Sequence, residues 1–121
     1  MEVDKIKQYT ADFETTTDER DCRIWAFSIT EIGNEENTII GKDINEFFAK
    51  LETLGNCSIY FHNLKFDGQF LIYYMLTNNY TYIDNDKLHD KSFNCLISDT
   101  GVFYTIKIRI KKHCTIKVFD S

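Results

Sequence analysis

Proline is absent from the 121 residues and glycine occurs only five times. No Pro-rich or Gly-rich linker divides the chain, and its length suits one domain spanning residues 1–121. Cysteine is sparse: Cys22, Cys57, Cys95 and Cys114, with no Cys-x-x-Cys pair, which argues against a structural zinc site. The opening Met1-Glu-Val-Asp-Lys5 is charged and no apolar run follows it, so a secretory signal is not expected. Disulfides are then not expected either, and the thiols read as core filling in a reducing cytoplasm. No segment approaches the roughly 20 apolar residues that span a membrane. Positive charge is in deficit, 14 Lys and Arg against 19 Asp and Glu, a poor balance for a chain that coats itself with nucleic acid.

Aromatic residues, by contrast, are plentiful. Ten Phe, seven Tyr and one Trp can fill a core. The charge is also uneven. Residues 101–121 hold Lys107, Arg109, Lys111, Lys112 and Lys117 against Asp120, a net of +4, so residues 1–100 carry −9. An acidic part followed by a basic end suits a metal-binding site beside a phosphate-contacting strand, and it suits an ordinary soluble protein as well.

Hydrophobic periodicity predicts strands over 6–14, 24–30 and 37–40. Asp43 is placed to cap a helix, with Glu46 at capping-box spacing, an apolar stripe of Ile44, Phe47, Phe48 and Leu51, and Gly55 as its end. A fourth strand follows at 57–61, then a helix over 67–77 with Phe70, Leu71, Tyr74 and Met75 inward. Residues 84–92 read as loop. Further strands are expected at 93–98, 102–110 and 114–119, with Asp99-Thr-Gly101 as a hairpin turn. The succession of strands, helix, strand, helix and strands implies an α/β layer arrangement with a mixed sheet. Strand order does not follow from it.

Two segments carry chemistry. Asp12-Phe13-Glu14 lies at a strand end, where alternation puts both carboxylates on one face about 6–7 Å apart and turns Phe13 to the other. Their repulsion is relieved by a divalent cation between them, or simply by water on an exposed face. The second segment, Tyr60-Phe-His-Asn-Leu-Lys-Phe-Asp-Gly68, leaves a strand and opens a helix. Asp67 either caps that helix or serves as a third acid aimed at the first strand. Asn63 would then hydrogen-bond that acid or a nucleic acid, and Gly68 would let the backbone pass close to a neighbour. His62 reads more readily as a satisfied polar residue than as a ligand.

Taken together, Asp12-Phe-Glu-Thr-Thr-Thr17, Asp21-Cys-Arg-Ile-Trp-Ala26 and Tyr60-Phe-His-Asn-Leu-Lys-Phe-Asp-Gly68 resemble the N-terminal 3′→5′ exonuclease domain of the protein-primed family B DNA polymerases of phages and linear plasmids. The ending Val118-Phe-Asp-Ser121 is similar to the strand that leads towards that family's third exonuclease motif. The resemblance implies a ribonuclease H-like α/β fold. It implies that Asp12, Glu14 and Asp67 are the catalytic, metal-binding carboxylates, and that Thr15, Tyr60, His62, Asn63, Phe66, Phe70 and Ser121 contact a single-stranded DNA 3′ end. Aromatic faces stack readily on unpaired bases. Hydrolysis with two cations is implied, and oxygen-only ligands favour Mg²⁺ or Mn²⁺. Further implied are the bacterial cytoplasm as location, and the parent polymerase domains and a terminal protein as partners.

The family's third motif, with its Tyr, Lys and further Asp on a later helix, has no counterpart up to Ser121, so the C-terminal catalytic helix is expected to be missing and hydrolysis weak or absent. A stand-alone regulatory or inhibitor protein derived from such a domain is an alternative. A minimal nuclease using Asp84, from Tyr80-Thr-Tyr-Ile-Asp84, is a third. The missing helix would also leave the apolar sides of the last two strands facing water, a patch that invites a homodimer.

Overall fold

The computed structural model describes residues 6–16, 18, 20–97 and 104–121. The expected hairpin turn at 99–101 lies outside the described residues. In chain order the elements are β1 (Lys7–Thr15), β2 (Ile24–Glu31), β3 (Asn34–Gly41), α1 (Ile44–Leu54), β4 (Cys57–Phe61), α2 (Leu64–Thr77), β5 (Thr81–Tyr82), β6 (Ser92–Ile97), β7 (Tyr104–Lys111) and β8 (Cys114–Asp120). All eight strands form one sheet in the order β3-β2-β1-β4-β8-β7-β6-β5. β4 runs parallel to both β1 and β8, β5 is parallel to β6, and the remaining pairs are antiparallel. This is the mixed-sheet α/β architecture expected for the ribonuclease H-like class.

Alternation along the strands separates the two faces of the sheet. Tyr9, Ala11 and Phe13 of β1, Cys57, Ile59 and Phe61 of β4, Ile106, Ile108 and Ile110 of β7, and Cys114, Ile116 and Val118 of β8 are all buried. Both helices cover this one face. The Phe13 ring meets Phe47 of α1 edge-on at 4.9 Å and Phe70 of α2 at 6.3 Å. Phe61 completes the cluster, 4.9 Å from Phe13, and Phe48 stacks on Tyr74 at 4.0 Å where the helices meet. The apolar sides of β7 and β8 therefore lie in the core. The expectation that they face water is corrected, and with it goes the physical premise for the homodimer. The face left open mixes charged and polar side chains with Tyr60, Phe119, Ile40 and Leu96, and the loop between β5 and β6 folds against part of it: Asn94 Nδ2 donates to the Asn85 carbonyl at 2.8 Å, and the backbone of His89 donates to Ser92 Oγ at 2.8 Å.

The capping box of α1 forms with one change. The Asp43 carboxylate accepts from the Glu46 amide at 2.8 Å, but Glu46 returns its own carboxylate to the Lys42 amide at 3.1 Å, one residue before the cap. Gly55 ends the helix at φ 70°. α2 begins three residues earlier than expected, at Leu64. Asp67 is thus inside its first turn, on the buried stripe with Leu64, Gly68, Leu71 and Met75, and is not its cap. Among the described residues no helix is long and apolar enough to cross a membrane.

Gly41 tests how tightly the α1 end of this core is packed. A Cβ there would lie 2.2 Å from Phe27 Cζ and 2.9 Å from Glu46 Cδ, so the ring and the capping carboxylate must both move. Gly41→Ala is expected to destabilise the chain by about 2–3 kcal/mol. Phe27→Leu in the same chain should recover part of that loss, with both read by urea denaturation.

Candidate functional site

The parallel alignment of β1, β4 and β8 brings their C-terminal ends to one end of the sheet, the position where open α/β sheets place their ligands. Asp12 and Glu14 approach it on β1. Both are exposed, on the face opposite the buried Ala11 and Phe13, as alternation requires. Thr15 follows, half-buried, where the register of β1 with β2 slips. β4 ends at Phe61, and the turn His62-Asn63, exposed at both residues, leads directly into α2.

Asn63 occupies the helix N-cap position, but its side chain makes no capping hydrogen bond. The Asp120 carboxylate, arriving on β8, accepts from the Leu64 amide at 3.0 Å and does that work instead. The Ser121 amide donates to the Phe61 carbonyl at 2.9 Å and extends the β4–β8 ladder by one bond. The corner that aims α2 is therefore tied to β8 by two adjacent residues. Sequence reasoning counted Asp120 only as a charge. Its one visible signal was the run Val118-Phe-Asp-Ser121, because a contact spanning 56 positions leaves no local pattern.

Asp67 is buried at 6% exposure, and its carboxyl is pushed up to about 6 from an ordinary 3.8, first by burial and then by the nearby charge of Asp12. The buried acid of the second motif and the first acid of β1 thus feel each other. Among the described residues, however, no three His, Cys, Asp or Glu side chains converge as a ready-made metal centre. What is present is a buried carboxylate short of positive charge beside an exposed one, with Glu14 one step further along the same strand face. That donor chemistry, oxygens alone, fits a hard cation such as Mg²⁺ or Mn²⁺.

Gly68 answers to a close approach, as expected. A Cβ there would lie 2.9 Å from the Tyr104 ring and 3.3 Å from Ile106 Cδ1, which lets α2 settle onto β7 and sets the depth of Asp67. The aromatic residues divide between the two faces. On α2, Phe66 is 39% exposed and meets the half-buried Phe70 edge-on at 5.6 Å, so Phe66 is not simply core. Tyr60 points to the open sheet face, where its ring stacks on Phe119 at 5.3 Å and 24° and its hydroxyl accepts weakly from Gln8 at 3.5 Å. Asp84 is removed as a catalytic candidate. It follows β5, at the far edge of the sheet, five strands from β1 and hence about 24 Å away.

No family model matches the chain. Individual proteins do. It is 39% identical over 119 residues to the DNA polymerase of Bacillus phage phi29 and 37% identical over 119 residues to that of Bacillus phage Nf, in both cases over 95% of this chain and 20% of the relative. The DNA polymerase of Streptococcus phage Cp-1 is 28% identical over 113 residues. Among solved structures, phi29 DNA polymerase complexed with single-stranded DNA superimposes with a TM-score of 0.83 at 31% identity, over 97% of this chain and 21% of that one. A complex with primer-template DNA gives 0.82 at 32% identity. The chain spans about a fifth of the length of these relatives, and it is a relative of their N-terminal region.

The Asp67 carboxyl has a testable consequence. In the folded chain it takes up its proton near pH 6, whereas unfolded it does so near 3.8. The folded state therefore holds the extra proton across that window, and stability should fall as pH rises from 4 to 6. Asp67→Asn should remove most of that fall and stabilise the chain at pH 7, on the order of 1 kcal/mol. Urea midpoints at the two pH values, with a carboxyl NMR titration of Asp67, check both statements.

Proposed function

We propose that the chain is the N-terminal 3′→5′ exonuclease, or proofreading, region of a protein-primed family B DNA polymerase, acting on single-stranded 3′ ends of DNA. The observation that carries the reading is the juxtaposition of the buried Asp67, its carboxyl raised by burial and by Asp12, with Asp12 itself at the shared ends of β1 and β4. The similarity to a phage polymerase solved with single-stranded DNA supports the ligand. In a replicating phage or linear plasmid the partners would be the remaining polymerase domains and a terminal protein, in the bacterial cytoplasm.

Asp12, Glu14 and Asp67 would hold the divalent cations. Bound there, Mg²⁺ or Mn²⁺ would supply an activated water and charge stabilisation at the leaving 3′ oxygen. The chain's own residues do the rest. Burial raises the Asp67 carboxyl to about 6 and makes its charge costly, so a cation bound there would relieve that cost and, below about pH 6, displace its proton. The exposed Phe66, braced by Phe70, offers a face on which the last unpaired base can stack, and His62 and Asn63 stand exposed at the turn. Asp120 and the Ser121 amide hold that turn against β8, so the acids and the aromatic shelf keep a fixed relation.

Three carboxylates leave a cation with few protein ligands, and Mg²⁺ gives up its waters reluctantly, so affinity should be millimolar at best. Mn²⁺ is expected to broaden the amide signals of Asp12, Glu14 and Asp67 selectively, with the effect lost in Asp12→Ala. Tight calorimetric binding that survives Asp12→Ala would overturn the metal site. Phe66→Ala should lower the urea midpoint less than removal of a core ring such as Phe47, since Phe66 is 39% exposed, while weakening binding of a short oligothymidine by roughly 1–3 kcal/mol. A folded Phe66→Ala variant with unchanged affinity would reject the stacking role.

A further inference from the structure

The open face of the sheet carries a second feature that the hydrolytic site does not use. Lys107 of β7 and Lys117 of β8 are directly opposite each other in the antiparallel ladder and point to the same face. Like charges so placed, with Cβ atoms about 4.5–5.5 Å apart, destabilise a sheet. Lys107 is only partly relieved, by Asp86 at 3.9 Å, and among the described residues Lys117 has no carboxylate within ion-pair distance. Arg109, two residues along β7, adds a third cation and is held by Asp90 at 3.0 Å. In a chain of net charge −5 this convergence of cations is only partly compensated, by Asp86 and Asp90, and Lys117 is left without a partner among the described residues.

The cations line a cleft of 320 Å³, together with Ser58 and Thr115, whose hydroxyls are suited to an anion, and with Asn56 and Asp86. Asn56 Oδ1 accepts from the Thr115 amide at 2.9 Å, which fixes that corner. The cleft lies on the same face as Asp12 and Glu14. Ser58 and Lys117 form one row of the sheet, the stacked pair Tyr60 and Phe119 the next, and Asp12 lies level with the row after that. From the lysine row to the Asp12 row is about 13 Å, four residues of strand rise. Positive charge, an aromatic pair and negative charge thus follow one another along a single surface.

We propose that this cleft binds the phosphate backbone of single-stranded DNA, at a site separate from the three carboxylates, and that Asp86 and Asp90 on the β5–β6 loop are counter-ions which the phosphates displace. Phosphates satisfy three converging cations at once, and the aromatic pair stands where an unpaired base passes on its way to the acids. The proposal shares its ligand with the exonuclease reading but not its residues or its chemistry.

Fluorescence anisotropy of a labelled oligothymidine, in EDTA so that no cation site contributes, tests it. Lys107→Gln/Lys117→Gln should weaken binding roughly ten- to fifty-fold at about 50 mM salt and lower the slope of log affinity against log salt by about 0.7 per lysine removed. Asp86→Asn/Asp90→Asn should tighten binding severalfold, a gain that damage to the fold cannot imitate. Asp12→Ala/Glu14→Ala should bind in EDTA no more weakly than the parent chain, which separates this cleft from the hydrolytic reading: that reading can fail while the cleft stands, and the reverse. Unchanged affinity and salt slope in the lysine variant, with no gain in the aspartate variant, would overturn the proposal. Competition by polyglutamate as effective as by unlabelled oligothymidine would overturn the assignment to DNA.

Discussion

β4 is the strand on which everything else depends, because it runs parallel to a neighbour on each side. Parallel pairing with β1 and with β8 forces three chain segments, separated by up to about a hundred positions, to finish at the same end of the sheet. The helix that follows β4 must then begin there too. The positions of Asp12, Asp67 and Asp120 are consequences of that one arrangement, as is the tie between the Ser121 amide and the Phe61 carbonyl.

A second constraint acts across the sheet. Both helices pack on one face, and the aromatic cluster of Phe13, Phe47, Phe61 and Phe70 is where they meet it. Covering one face only leaves the other without a helix, so the acids of β1, the Tyr60–Phe119 stack and the lysines of β7 and β8 all share an open surface. A one-residue slip in β1 would exchange Phe13 with Asp12 and Glu14 and destroy core and acid pair together. The same period-two logic explains why an Ile-rich β7 and β8 bury their apolar sides in the core, and why the side they show to water carries cations.

The carboxylates stand in unequal surroundings. Asp12 and Glu14 are exposed, whereas Asp67 sits on the packed stripe of α2, where charge is costly unless something positive arrives. Gly68 contributes by letting the helix approach Tyr104 closely enough to enclose its neighbour. Pairing one buried acid with exposed ones leaves the site one carboxylate whose charge stays costly until a cation arrives.

Much was legible in the sequence. The Asp43 cap, the apolar stripe of α1 and the strand at 57–61 are local patterns, set by residues within a turn or two of one another, and they appear where periodicity put them. The facing of Asp12 and Glu14 follows from strand geometry alone. The motif around Tyr60 to Gly68 gave the neighbourhood of the site, though not the start of α2, because the group that receives the Leu64 amide comes from Asp120 on another strand. Three matters were decided only by the tertiary structure: the strand order, which face the helices cover, and the opposition of Lys107 and Lys117. Each depends on contacts between residues remote in the chain, and alternation within a strand fixes which side chains share a face but not what that face will meet.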